Sequence, residues 1–286
     1  MATRTVETPT SARYEFKYAV PHSLVDPIRQ FIEGYCDLDA YAAPPDGFYS
    51  ITSLYLDDQR FQSFWDTENG KPDRYKLRIR TYGNGSGGPV NFEVKHRIHK
   101  SIVKSIVNYP GPDWPRFFQP SAPPDLERLP NPQRTALERF LLLSRKFRAT
   151  PKMLVRYERL AFQSRTDQYV RVTFDRHLVH QPMSAYNLQG DPSRWQPIDH
   201  APFLGTAESS FVLELKFLDR PSRWLEELTR RFGLVRRGCS KYSDAVRRRF
   251  FQREFAWDRT PVPSWSIPRL PAPSWSAPGV PAPSWR

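Results

Sequence analysis

The chain has 286 residues, 39 % hydrophobic and 14 % aromatic, which is enough for a sizeable core in one large domain or two small ones. A total of 43 Lys and Arg against 30 Asp and Glu gives a formal net charge of +13 and points to a polyanionic partner: nucleic acid, polyphosphate, nucleotide or an anionic membrane surface. Cys36 and Cys239 stand far apart without neighbouring ligand pairs, which excludes a disulfide framework and a zinc site and suits a reducing compartment. No stretch reaches the ~18 consecutive apolar residues of a spanning helix, and the N-terminus lacks the apolar core of a signal peptide, so a cytoplasmic protein is expected.

Residues 1–12 are small and polar and read as a disordered leader. Arg13–Val20 alternates Arg13, Glu15 and Lys17 against Tyr14, Phe16 and Tyr18, the period of a strand with one ionic face. Ser23–Gly34 follows with Leu24, Ile28, Phe31 and Ile32 at helical spacing, and Gly34 ends it. Tyr49–Asp57 is a strand, and Gln59–Asp66 a short helical turn.

Asp73–Ile98 then carries two alternating runs around the glycine-rich turn Gly83–Pro89, the signal of a β-hairpin. Lys76, Arg78 and Arg80 share one parity of the first run, and Glu93, Lys95 and Arg97 one parity of the second. Lys100 and Lys104 continue the pattern in the next strand. The Pro-rich segment 110–132 has no readable periodicity. Leu137–Phe147 is a helix, followed by strands at Lys152–Phe162, Tyr169–Leu178 and Phe211–Leu218, the last carrying Glu214 and Lys216 in an otherwise apolar run. Residues 180–209 read as a long loop. Ser222–Phe232 is a helix with Trp224, Leu225 and Leu228 on its buried side and Gly233 beyond its end, and Ser240 is placed to cap a last helix.

Residues 257–286 differ in kind. PVPSWSIPRL, PAPSWSAPGV and PAPSWR repeat Pro-Ser-Trp, and proline at this density keeps the segment out of sheets and helices. It reads as an extended, disordered tail: either a docking ligand for a groove that recognises Pro and Trp, or a repeat without a partner.

A single strand with a charged face is ordinarily a strand facing water. Here seven strands, at 13–20, 73–82, 90–98, 100–108, 152–162, 169–178 and 211–218, each offer an ionic stripe. Such recurrence predicts that the stripes share an interior, in a closed antiparallel barrel with a cationic bore. Glu15, Glu93 and Glu214 lie among the cations, either neutralising them or offering oxygen donors to a divalent metal. The six histidines show no metal spacing, GNGSGG is a hairpin turn and not a phosphate cradle, and no Ser-His-Asp or Cys-His arrangement is present.

RYEFKY, SLYLDD, KLRIRTY, FEVKHR, RYERLAF, VRVTFD, VLELKF and CSKYSDAV, in that order from Arg13 to Phe250, resemble the VTC domain, the polyphosphate polymerase domain of the triphosphate tunnel metalloenzyme (CYTH-like) superfamily. The resemblance implies an α+β fold, an antiparallel β tunnel barrel with flanking helices over residues 13–256. It implies transfer of the ATP γ-phosphate onto a growing polyphosphate chain with Mn²⁺ or Mg²⁺. Carried over motif by motif, Lys17, Arg78, Arg80, Lys95, Arg159 and Arg171 would act on the reacting phosphates, and Lys104 and Lys241 would hold the chain. The ionic stripes add Glu15, Lys76 and Lys216 to the chain-binding set. Glu214 resembles the metal-binding glutamate.

Two departures bear on this. Tunnel triphosphatases carry Glu-x-Glu-x-Lys on the first strand, whereas this chain has Arg13-Tyr14-Glu15-Phe16-Lys17, which favours chain handling over two-metal hydrolysis. The phosphate-sensing SPX domain and membrane helices of eukaryotic members are not in this sequence, so export of product would need a separate membrane protein. Three alternatives stand beside the polymerase: a non-catalytic polyphosphate-binding module, a tunnel triphosphatase, and a nucleic-acid binder through Arg236-Arg237 and Arg247-Arg248-Arg249. The last is disfavoured because the aromatics take the apolar parity of the strands.

Overall fold

In the computed structural model, residues 13–42, 45–83, 87–99, 101–119, 126, 129–167, 169–199 and 210–250 are described. The leader, most of the 120–128 segment, residues 200–209 and the Pro-Ser-Trp tail lie outside them.

One antiparallel sheet of ten strands organises the chain. Its strands are β1 (Arg13–Pro21), β2 (Cys36–Leu38), β3 (Tyr49–Asp57), β4 (Asp73–Tyr82), β5 (Val90–Ile98), β6 (Ser101–Tyr109), β7 (Thr150–Ser164), β8 (Arg171–Pro182), β9 (Gln196–Pro197) and β10 (Ser210–Leu218). The order is β1-β10-β8-β7-β3-β4-β5-β6, with β2 added to β7 and β9 to β8. Among the described residues no ladder joins β1 to β6. The expected tunnel is therefore a curled half-barrel and not a hydrogen-bonded ring. The outer edge of β1 is partly covered by the segment before the last helix: Tyr18 bridges Arg236, and Arg237 N–H donates to Lys17 C=O at 2.9 Å.

The period-2 alternation sends apolar side chains to the convex face, where helices cover them. Tyr18, Val20, Leu160, Phe162, Phe174, Leu213 and Leu215 pack with α1 (Val25–Glu33) and α4 (Arg223–Arg231), which contribute Ile28, Ile32, Trp224, Leu225 and Leu228. Over the other half, Leu54, Leu77, Ile79, Phe92 and Val94 pack against Leu137, Phe140 and Leu141 of α3 (Asn131–Lys146). The Pro-rich segment contributes here too, through a 3₁₀ turn, Trp114–Phe118, that buries Trp114 and Phe117. Gly233 follows α4 at φ 57, a left-handed position that a side chain would strain.

A third apolar cluster sits on the concave side. There α5 (Lys241–Phe250) buries Tyr242, Ala245 and Val246 against Tyr55, Met153, Val155 and Tyr157, with Phe64 of α2 (Gln62–Glu68). Tyr242 OH donates to Asp57 Oδ2 at 2.6 Å, and Asp57 also accepts the N–H groups of Ser63 and Phe64 at the start of α2. These contacts fix both helices at one end of the groove.

Candidate functional site: a cationic groove

The register places the ionic stripes side by side. Lys17 of β1 lies opposite Glu214 of β10, which lies opposite Thr173 of β8. Asp175 of β8 is opposite Arg159 of β7, and Arg159 is opposite Tyr49 of β3. Further along, Tyr55 pairs with Arg78, Arg78 with Glu93, and Lys95 with both Lys76 and Lys104. All these positions share the concave face. Beyond Asp175 an extra residue keeps β8 in step: His177, at φ 50, bulges out, and both it and Leu178 oppose Tyr157.

The concave face thus carries Lys17, Lys76, Arg78, Arg80, Lys95, Lys104, Arg159, Arg171, Lys216 and Lys241 among Glu15, Glu93, Asp175 and Glu214, with Asp39 beside Arg171 and Asp57 at the α5 end. Two nests organise most of them. In the first, Glu214 Oε1 receives Lys17 Nζ at 3.2 Å and Lys241 Nζ at 3.1 Å, while Oε2 receives Lys216 Nζ at 3.0 Å and Arg159 Nη2 at 3.2 Å. Arg159 also clamps Asp175 with two hydrogen bonds, at 2.6 and 2.7 Å. In the second nest, Glu93 Oε2 accepts from Arg78 Nη2 at 2.6 Å and Lys104 Nζ at 3.0 Å, with Arg80 Nη1 3.6 Å from Oε1. The Arg80 guanidinium is held by Ser53 Oγ and Tyr157 OH, each at 3.1 Å.

The electrostatics follow from burial and crowding. Burial alone would raise Glu214, but Lys17, Lys216, Lys241 and Arg159 hold it well below the usual carboxylate range. Glu93 is lowered in the same way, with burial outweighed by Arg78, Arg80 and Lys104. Lys17 and Lys241 are raised, because their carboxylate neighbours overcome burial. Lys76 behaves oppositely. Its Nζ donates to Ser240 Oγ at 2.8 Å, and burial, then Lys95, Lys17 and Arg74, push it down to about 7. Lys95 is also lowered, by burial only partly offset by Glu15.

Every site residue named from the sequence lies on this face or caps it. Lys17, Glu15, Arg159, Lys216, Lys241 and Glu214 meet in the first nest; Arg78, Arg80 and Lys104 meet in the second. Lys95 reaches across to Glu15, Nζ to Oε2 at 3.5 Å, so the half-barrel is spanned by side chains where its backbone is open. Arg171 stands apart, paired with Asp39 near the groove's other end. Sequence reasoning missed Asp175, although it shares the parity of Arg171 and Thr173, and the hydroxyls of Ser53, Tyr55, Tyr157 and Ser240. A hydroxyl on a strand carries no charge signal, and only the register shows which of them meet Arg.

Glu15 Oε1 and Glu214 Oε1 both contact the Lys17 ammonium, at 3.1 and 3.2 Å. Their oxygen donors are of the kind Mg²⁺ or Mn²⁺ accept, one or two carboxylates with phosphate and water oxygens completing the shell, although in the free protein the cation between them is Lys17. Among the described residues no three His, Cys, Asp or Glu side chains are gathered to hold a metal, so the protein would supply a minority of the ligands.

The VTC domain family model matches residues 12–250. The chain belongs to the VTC domain family. The domain is thereby a polyphosphate-related one. No curated protein matches the chain. Among solved structures it is similar to a protein from Bacillus halodurans described as a putative adenylate cyclase, at 11 % identity and a TM-score of 0.46, covering 84 % of this chain and 98 % of that one. It is also similar to the PH1819 protein of Pyrococcus horikoshii, at 11 % identity and a TM-score of 0.40, covering 82 % of this chain and 100 % of that one.

Proposed function

We propose that the VTC domain binds an inorganic polyphosphate chain along its concave face and extends it from ATP. The observation that carries this reading is the gathering of cations from β1, β4 to β8, β10 and α5 on one curved surface, with Lys76 and Lys95 depressed by burial and by their cationic neighbours. A chain of phosphates supplies the missing negative charge along its whole length, which a single carboxylate ligand would not.

In the proposed reaction a terminal phosphate oxygen of the primer attacks the γ-phosphorus of ATP. The bond from that phosphorus to the β,γ-bridging oxygen breaks, and ADP leaves with the electron pair. No side-chain nucleophile is needed. The chain's own residues bind and orient: Arg78 and Arg80 offer planar donors to equatorial phosphate oxygens, and Lys17, Lys95, Arg159 and Arg171 balance charge that develops in transfer. Lys76, Lys104, Lys216 and Lys241 hold the rest of the chain in register, and Glu15 fixes Lys17 and Lys95 beside it. A divalent metal would supply further positive charge to the phosphates, and Glu214, with Glu15, would offer it oxygen donors. The exposure of Lys95 and Lys104, whose side chains keep 41 % and 39 % of their surface, leaves the groove open to an entering chain.

Purified protein incubated with ATP and Mn²⁺, its products separated on a gel stained for polyphosphate, tests this. A ladder that disappears in Glu214→Gln and Arg78→Ala is the expected result. Free phosphate without a ladder would show a triphosphatase. Tight binding of added polyphosphate without either product would show a non-catalytic module.

A further inference from the structure

On β3 and β4 the concave face changes character beyond Arg80. Two residues on from Arg80 along the same face comes Tyr82, and opposite Arg159 comes Tyr49. A strand advances about 3.3 Å per residue, so Tyr82 lies about 6.6 Å beyond Arg80 along β4. Tyr41, on the loop between β2 and β3, lies flat on Tyr82, with ring centroids 5.3 Å apart and planes 8° from parallel; Tyr49 closes the trio at 6.0 and 6.2 Å.

Tyr49 packs on the concave apolar cluster, but the stacked pair is not core. Tyr41 keeps 61 % of its surface and Tyr82 43 %, whereas Tyr55 and Tyr157, further in along the same face, are buried. The loop that presents Tyr41 is tied to the cations. Asp39 accepts the Tyr41 N–H at 2.9 Å with one carboxylate oxygen and pairs with Arg171 through the other. A flat, open aromatic surface is thus anchored beside Arg171, where the ionic stripe of β4 ends.

We propose that the Tyr41–Tyr82 pair is the stacking platform for the base of a nucleoside triphosphate whose phosphates run inward to Arg80 and Arg159. A base has an apolar π-face that stacks on tyrosine irrespective of its hydrogen-bonding edge, so the platform discriminates nucleotide from bare phosphate more than one base from another. This rests on the reading of the groove as a phosphate-chain site and names how it would distinguish a nucleotide donor from a growing chain.

The test compares two probes, ATP and inorganic tripolyphosphate, by calorimetry on the full chain and on Tyr41→Ala, Tyr82→Ala and Tyr82→Phe. Removing one ring should weaken ATP about 5- to 150-fold, the range for loss of one base–aromatic stack. Tripolyphosphate affinity should not move, and Tyr82→Phe should retain ATP binding. Equal weakening of both probes would overturn the platform, since the rings would then only brace the loop. Unchanged ATP affinity in both alanine variants would overturn it too, and leave the phosphate groove standing. Wild-type protein that binds ATP but not tripolyphosphate would overturn the groove reading itself.

Discussion

The Lys17 ammonium on β1 and the Glu214 carboxylate on β10 are cross-strand partners, 3.2 Å apart, and Glu214 is shared by three further cations. Glutamine at 214 removes the charge and keeps the shape, leaving Lys17, Lys216, Lys241 and Arg159 facing one another. Breaking a buried pair from one side costs about 3–5 kcal/mol. We expect Glu214→Gln to lower the melting temperature of the free protein. Long-chain polyphosphate should restore more stability to this variant than to wild type, because it supplies the lost negative charge. A thermal melt with and without polyphosphate reads both effects; equal stabilisation of the two proteins would contradict the assignment.

Arg78 joins the hairpin partners Glu93 and Tyr55, with Nη1 3.3 Å from Tyr55 OH. Arg78→Ala should reduce polyphosphate affinity about 10- to 100-fold, the value of one or two charge-assisted hydrogen bonds. Arg78→Lys should recover only part of this, since a point charge cannot reproduce the planar fork. Titration at two salt concentrations checks the point: the salt dependence of binding should be shallower for the alanine variant than for the lysine one.

Much of this fold was legible because the chain alternates ions and apolar groups so regularly. The ionic parity of Lys76, Arg78 and Arg80 marked an interior stripe before any pairing was known. The stripe on Glu214 and Lys216 stood out because charge is rare in a run such as FVLELKFL. What local sequence does not encode is who pairs with whom: β10 inserts between β1 and β8, and β3 sits at the centre of the sheet although it carries little charge. Its inward Ser53 and Tyr55 hold the arginines of β4. The bulge at His177 and the two short strands β2 and β9 also escaped, being too brief for periodicity to show. Closure into a ring was inferred from the number of charged stripes, but side chains such as Lys95 and Glu15 can span an opening that the backbone leaves.

The convex core gives a prediction independent of function. Phe140 of α3 is fully buried, 5.2 Å from the ring of Phe92 and edge-on to it. Phe140→Ala should destabilise the domain by about 3–5 kcal/mol through lost burial and the cavity left behind. Chemical denaturation should show an earlier midpoint with little change in slope. The affinity of the folded variant for polyphosphate should stay near wild type, because α3 lies on the far side of the sheet.

Proton uptake offers the sharpest check on the groove. In the free protein burial and its cationic neighbours push Lys76 down from the ordinary 10.5 to about 7; Lys104 is pushed the same way, mainly by burial, although solvent screens it more. Between pH 7 and 10.5 the unfolded chain therefore binds more protons at these lysines than the folded one. On their account the free protein gains stability as pH rises through that window and carries the full cost below it. A polyanion in the groove reverses the preference, since each neighbouring phosphate favours the ammonium. Binding above pH 7 should then draw protons from solution, and affinity for polyphosphate should fall as pH rises from 7 to 9. Calorimetry at pH 8 in two buffers of different ionisation enthalpy measures the uptake directly, and Lys76→Met should lower it. Identical heats in both buffers would show that these lysines do not face the chain.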